Sequence, residues 1–270
     1  MDLTPVSFGE VQADLLPKLV KRDTCWFQQK IDGHRVFLTV TDHQVKTFGN
    51  DGRPKANQVP EPILAEFRRL PTGSWCFDGE LLDRTLWLFD LVAAPSVAFT
   101  EPYALRQAIL ETFFGEWRPR PCVRLVYTAR TAREKTALLR LVRDGRGEGV
   151  MVKDPDAPYE PGVESSRMVR AKFRSSADVV VTRLHIDDKD NCAFGVYTET
   201  GEMIEVGKCH LHGRPIEVGD MIEVEYLYVV TTRLVQPTFK RKRNDKARAR
   251  CSIGQLHFTD KHTVHMPSAS

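Results

Sequence analysis

Within Gln28-Gln29-Lys30-Ile31-Asp32-Gly33-His34-Arg35, a lysine, an acid, a glycine and an arginine occupy six positions directly ahead of an apolar run. A lysine in such company is a candidate nucleophile. Solvated lysine titrates near 10.4, so a neutral amine at pH 7 costs about 4.6 kcal/mol, which burial, neighbouring cations or a metal-bound polyphosphate must offset. Read alone, K-x-D-G-x-R is also a solvated turn entering a strand, and its chemistry depends on companions elsewhere in the chain.

Three clusters supply companions. Phe77-Asp78-Gly79-Glu80 and Glu148-Gly149-Val150-Met151-Val152-Lys153 each bring a carboxylate to a strand end. Glu80 and Glu148 are hard oxygen donors, able together to hold Mg²⁺ (or Mn²⁺) and to meet a ribose hydroxyl. Arg170-Ala171-Lys172 puts two cations on one strand face, where both can bind an α-phosphate and lower the pKa of Lys30 by like-charge repulsion. Phe89, in Leu86-Trp87-Leu88-Phe89-Asp90, offers a ring face to a base. Further on, Arg233, Lys240, Arg241, Lys242, Arg243, Lys246, Arg248 and Arg250 face a single acid, Asp245, in a stretch suited to phosphates.

The elements that must position these groups are legible in outline. Residues 1–24 read as a short helix or loop. Val36, Leu38 and Val40 alternate with Phe37, Thr39 and Thr41, and Gln44 to Phe48 pairs back across Thr41-Asp42-His43. Gly49-Asn50-Asp51-Gly52 is a loop. Pro62 to Leu70 has helical spacing, Trp75 to Leu82 and Leu86 to Val92 form a hairpin, Tyr103 to Phe114 is a helix, and Thr131 with Glu134 caps another running to Arg143. Gly149 to Lys153 and Met168 to Phe173 are extended. Strand-paired and helical segments mixed in this way predict an α+β domain over 1–174. Beyond Ser175-Ser176, runs at Val179–Leu184, Ala193–Thr198, Met203–Val206 and Met221–Val230 predict an all-β domain over 175–270, of the size of a small OB barrel.

The chain has 270 residues, ordinary apolar and charged fractions, and a net charge of +3. No apolar run of about eighteen residues or more appears, and no signal peptide, so no membrane is expected and the expected compartment is the cytoplasm. Cys25, Cys76, Cys122, Cys192, Cys209 and Cys251 form no C-x-x-C pair and read as reduced thiols; His210 and His212 lack partners for a metal set.

In order, Lys30-x-Asp32-Gly33-x-Arg35, Phe77-Asp78-Gly79-Glu80, Leu88-Phe89-Asp90-Leu91, Glu148 to Lys153, Arg170-Ala171-Lys172 and Pro237-x-Phe239-x-Arg241-x-Arg243-x-Asp245-Lys246 resemble the motifs of ATP-dependent DNA ligases, across residues 28–246. The resemblance implies a nucleotidyltransferase domain of antiparallel sheets and helices followed by an OB domain. It implies sealing of 5′-phosphate/3′-hydroxyl nicks in duplex DNA through a lysyl-AMP on Lys30, with ATP and Mg²⁺, by a monomer. By carry-over, Asp32 orients groups near the nucleophile, Gln28 and Phe89 meet adenine, Arg35 contacts a phosphate, Glu80 the ribose or metal, Glu148 the metal, and Arg170 with Lys172 the α-phosphate. Arg243 and Lys246 close over pyrophosphate, and Asn50, Lys240, Arg241, Lys242, Arg248 and Arg250 serve DNA. The sequence departs from the family at Gln28, usually glutamate, at Gly49 to Gly52, usually a Ser-Arg pair, and at Arg170, usually lysine. Twenty-nine residues ahead of Lys30 suit the minimal phage, viral or bacterial type, with ATP favoured over NAD⁺. The rival readings are an RNA ligase, a messenger-RNA guanylyltransferase and a non-catalytic OB-fold nucleic-acid binder.

Overall fold

A computed structural model describes residues 4–55, 58–116, 122–145, 147–245 and 251–256, which divide into one unit ending at Ala171 and a second beginning at Lys172. Among the described residues no helix is long and apolar enough to cross a membrane.

The first unit contains, in order, β1 (Ser7–Glu10), α1 (Leu16–Val20), β2 (Trp26–Lys30), β3 (His34–Thr41), β4 (Gln44–Phe48), α2 (Glu61–Phe67), β5 (Ser74–Leu82), β6 (Thr85–Ala93), α3 (Tyr103–Glu116), β7 (Val123–Leu125), β8 (Thr128–Ala129), α4 (Ala132–Asp144), β9 (Gly149–Lys153) and β10 (Glu164–Lys172). They make two five-stranded sheets, β1-β10-β9-β2-β8 and β4-β3-β5-β6-β7. The hairpins follow from their turns: Asp42 and His43 take φ of 47° and 67° between β3 and β4, and Asp83 takes 54° between β5 and β6. Such left-handed turns match the twist of paired strands, and short polar side chains tolerate them best.

The second sheet is buried on both faces, which explains why apolar residues occupy both parities of β3. Val36, Leu38 and Val40 pack with Ile63 and Phe67 of α2 and Leu110 of α3, while Phe37 packs with Cys76, Val92 and Tyr159 on the other side. Each such side chain contributes about 1.5–3 kcal/mol by leaving water. α4 opens with the capping box expected from sequence: Thr131 Oγ1 accepts from Glu134 N, and Glu134 Oε2 accepts from Thr131 N.

Two features differ from expectation. Residues 7–10 form a strand, β1, which pairs in parallel with β10; β6 and β7 are also parallel, so the sheets are not wholly antiparallel. The partner of β1 lies some 160 residues away, and no local pattern announces it.

The second unit contains β11 (Ser175–Leu184), β12 (Asn191–Tyr197), β13 (Met203–His210), β14 (Met221–Tyr226), β15 (Val229–Val230), β16 (Arg233–Leu234) and β17 (Thr238–Lys242). The sheet runs β13-β12-β11-β14-β17, with β15 and β16 as a separate ribbon. This is an OB fold around Val179, Phe194, Val206, Ile222, Val224 and Tyr226. The run expected at Met221–Val230 breaks at Leu227 and Tyr228, and the basic stretch contains a further strand, β17. There Phe239 turns into the core while Lys240, Arg241 and Lys242 stay outside. Cys192 and Cys209 face each other across β12 and β13 as buried thiols.

Candidate active site

A cavity of about 630 Å³ opens in the first unit, lined from β1, β2, β9 and β10 of one sheet and from β3, β5 and β6 of the other. Register sets its floor. In the β2–β9 pair, Gln28 stands opposite Met151 and Lys30 opposite Gly149, so one face carries Gln28, Lys30 and Met151, with no side chain across from the lysine. Gln28 and Gln29 are both buried. Two buried amides in a central strand are costly unless they bind something, and they distinguish this strand from a packing element.

Lys30 Nζ lies 2.6 Å from Glu148 Oε2, the carboxylate that immediately precedes β9. Opposite, Arg35 is paired with Glu80 in the β3–β5 register, and both line the cavity. Burial pushes the Glu80 carboxyl up to about 7, against the opposing pull of Lys30 and Arg35. Arg35 itself is tied into the protein. Its Nε and Nη2 donate to Asp78, at 2.9 and 2.5 Å, and its Nη1 donates to the Val6 carbonyl. Burial opposes that charge, and Asp78 more than offsets it, raising the guanidinium pKa above its ordinary value. Tyr159 donates to the same carboxylate.

Phe89 lines the cavity from β6. The Phe8 ring from β1 meets it edge-on at 6.2 Å, and Lys153 Nζ stands 4.8 Å from its centroid while donating to its backbone carbonyl. Burial lowers the Lys153 amine to about 8. Gln28 Nε2 faces Thr128 Oγ1 and the Phe89 carbonyl, which leaves Gln28 Oε1 buried without a partner among the described residues. That oxygen is an acceptor awaiting a donor. Asp78 and Asp90 are cross-strand neighbours on β5 and β6, and each is neutralised by its own arginine; Arg106 holds Asp90 with two bonds of 3.0 and 2.9 Å.

Of the residues singled out from sequence, Gln28, Lys30, Arg35, Asn50, Glu80, Phe89 and Arg170 line this one cavity, and Glu148 touches Lys30. Asp32 is not among the lining residues, although Ile31, Gly33 and His34 are. Arg170 pairs with Glu10 across β1 and β10. Lys172, the last residue of β10, already falls in the second unit, where its amine donates to Gln236. Also in that unit, Lys240, Arg241 and Lys242 pair with Glu225, Glu223 and Asp220, and Arg243 is held by Asp178, Glu223 and Asp245. The Arg243 guanidinium in turn lowers Asp245 to about 2. Lys246, Arg248 and Arg250 lie outside the described residues.

Sequence reading passed over Phe8, whose strand has a distant partner, and Lys153, which ends a noted motif but was assigned no role. It also passed over Lys55 and Gln58, which line the cavity from the loop after β4. Among the described residues no group of three His, Cys, Asp or Glu side chains stands ready to hold a metal. Glu80 and Glu148 are hard donors that suit Mg²⁺ only where substrate phosphates and water complete the shell.

Residues 83–172 match the family described as ATP dependent DNA ligase domain. A DNA ligase of Methanothermobacter thermautotrophicus is 28% identical over 185 residues, covering 66% of this chain and 29% of that protein. The chain therefore spans under a third of that relative's length. The crystal structure of the ligase domain of M. tuberculosis LigD shares 18% identity at a TM-score of 0.56, covering 92% of this chain and 97% of the other. A structure from work on DNA binding with a minimal scaffold in Lig E DNA ligases shares 17% identity at a TM-score of 0.64, covering 88% and 99%. At these identities the solved structures speak to fold alone, an adenylation domain followed by an OB domain. Residues 83–172 thus match the ATP-dependent DNA ligase domain family, and the fold as a whole is similar to that of solved ligase structures.

Proposed function

We propose that this chain is a monomeric, cytoplasmic ATP-dependent ligase that seals 5′-phosphate/3′-hydroxyl nicks in duplex DNA through a lysyl-AMP on Lys30. The observation that carries the reading is Lys30 paired with Glu148 at the floor of a cavity that also holds Phe89, Glu80 and the unpartnered Gln28 Oε1.

In the first step the Lys30 amine bonds to the α-phosphorus of ATP as the bond to pyrophosphate breaks. The contact with Glu148 fixes where the amine starts, and this pair has to open for attack. Phe89 meets the adenine face, its ring kept in place by Phe8 and its carbonyl by Lys153. Gln28 Oε1 suits the exocyclic amine of adenine; guanine would present a carbonyl oxygen to it, so ATP is favoured over GTP. Glu80 accepts from a ribose hydroxyl. Glu80 and Glu148 would hold Mg²⁺, which would neutralise charge on the leaving group. AMP then passes to the 5′-phosphate of the nick, and the 3′-hydroxyl displaces it.

The test is direct. Incubation with ATP and Mg²⁺ is expected to add about 329 Da, the mass of an AMP residue in covalent linkage, with nicked duplex DNA sealed and GTP inactive. Lys30→Ala is expected to abolish the adduct and sealing while leaving salt-sensitive DNA binding intact. Adduct formation in that variant would move the nucleophile to another residue, and labelling by GTP without sealing would replace this reading with a capping activity.

A further inference from the structure

Five lysine and arginine side chains, Lys30, Arg35, Lys55, Lys153 and Arg170, line the cavity described above. Four are engaged within the protein: Lys30 with Glu148, Arg35 with Asp78, Lys153 with the Phe89 carbonyl, and Arg170 with Glu10. The Lys55 amine makes no ion pair or hydrogen bond among the described residues. Among the described residues it is the one Lys or Arg of the cavity without such a bond, although its charge helps to lower the nearby Asp51 carboxyl.

Its mounting is nevertheless firm. After β4 the chain turns through Gly49 to Arg53 and returns to pair with the strand it has just left. Phe48 bridges Pro54, Lys55 N donates to the Thr47 carbonyl at 2.8 Å, and Thr47 Oγ1 donates to the Lys55 carbonyl at 2.9 Å. From that base the lysine stem lies across Gly49. A Cβ built on Gly49 would come within 2.7 Å of Lys55 Cε and 3.4 Å of its Cγ, so the glycine is what lets the stem run there. In the same loop, Gln58 lines the cavity and keeps Oε1 buried without a partner among the described residues, an acceptor suited to a sugar hydroxyl beside a phosphate.

We propose that Lys55, laid across Gly49 into this cavity, binds a phosphate group of the substrate. The proposal rests on the reading of the cavity as the site of nucleotidyl transfer. Two substrates bring phosphates there, the nucleotide and the 5′-phosphorylated strand end, and a compact ammonium on a flexible stem suits either.

The experiment compares wild type, Lys55→Gln, Lys55→Arg and Gly49→Ala in three assays, with thermal midpoints recorded throughout. These are lysyl-AMP formation against ATP concentration, sealing of a nick already carrying 5′-adenylate, and calorimetric binding of inorganic pyrophosphate. Lys55→Gln is expected to lose tenfold or more in one chemical assay, chiefly in KM, with its melting point unchanged. Lys55→Arg should recover most of that loss, and Gly49→Ala should lose activity in the same assay by displacing the stem. A loss confined to adduct formation assigns the nucleotide's phosphates; a loss confined to sealing assigns the strand end. Activities within twofold of wild type in both assays overturn the proposal. If wild type forms no adduct at all, the enzymatic reading fails by itself. Pyrophosphate binding then decides the present proposal without chemistry: a tenfold weaker affinity in Lys55→Gln supports it, and equal affinity overturns it.

Discussion

Glu80 is the residue at which burial and the proposed function meet most directly. Its carboxyl is held near 7 instead of an ordinary 4.5, with burial as the main cause. Below that pH it is neutral, so the ribose or metal contact proposed for it would strengthen as pH rises through about 7. The rate of lysyl-AMP formation is accordingly expected to climb across this range, and Glu80→Gln should flatten the climb as well as lower the plateau. An unchanged limb in the variant would assign the proton to another group. Stability runs the opposite way. Between 4.5 and 7 the folded state binds more protons at Glu80 than the unfolded chain does, so this group's contribution to stability falls as pH rises. Urea unfolding at pH 5 and pH 8 should therefore show Glu80→Gln gaining on wild type at the higher pH. Lys153 is the complementary case, a buried amine lowered to about 8 that remains charged at neutral pH beside Phe89 and Tyr103.

At the scale of elements, the junction between β2 and β3 is the part most exposed to small changes. A Cβ on Gly33 would fall 2.3 Å from the Leu81 carbonyl oxygen and 3.1 Å from Glu80 Cγ. The glycine lets the chain pass tightly against β5, and that passage sets Lys30 and Arg35 on either side of the turn against Glu80. Gly33→Ala is expected to destabilise the protein by about 1–3 kcal/mol, the range for forced overpacking, and to reduce adduct formation further than the stability loss explains. Gly254→Ala, where the nearest atom is 3.9 Å away, is the matched control and should change neither. Denaturant unfolding beside single-turnover adenylation checks both variants. How much of these elements the sequence reveals depends on the reach of the interactions. The cap of α4, the Asp42-His43 turn and the β5–β6 hairpin are written within a few neighbouring residues, and all were legible. β1 was not, because its pairing with β10 joins Glu10 to Arg170. The site was legible as a set of residue types whose cavity lining the fold later supplied, but their bonding was hidden. Nothing in K-x-D-G-x-R says that Arg35 will be spent on Asp78 and the Val6 carbonyl, or that Lys30 will meet Glu148. Those bonds are made by register between strands far apart in the chain.

For the whole molecule, the balance of charge decides how strongly a polyanion can be held. The stretch from Arg233 to Arg250 reads in sequence as eight cations against one acid, yet folding brings Glu225 to Lys240, Glu223 to Arg241 and Asp220 to Lys242. β17 is thus less positive than its sequence. Pairs this exposed contribute about 0–1 kcal/mol each, so removing the acids frees the lysines with little cost to the fold. Asp220→Asn combined with Glu225→Gln avoids Glu223, which also holds Arg243. If β17 lies on the DNA, this double variant should bind nicked duplex more tightly at low salt, with a plot of log affinity against log salt steeper by up to about two, since each newly neutralised phosphate adds about 0.9. Lys240→Ala with Lys242→Ala should make the same plot shallower, with the melting temperature almost unchanged in both. Equal slopes in all three proteins would show that β17 faces away from the duplex, and the cations that hold DNA would then have to be sought on other surfaces of the chain.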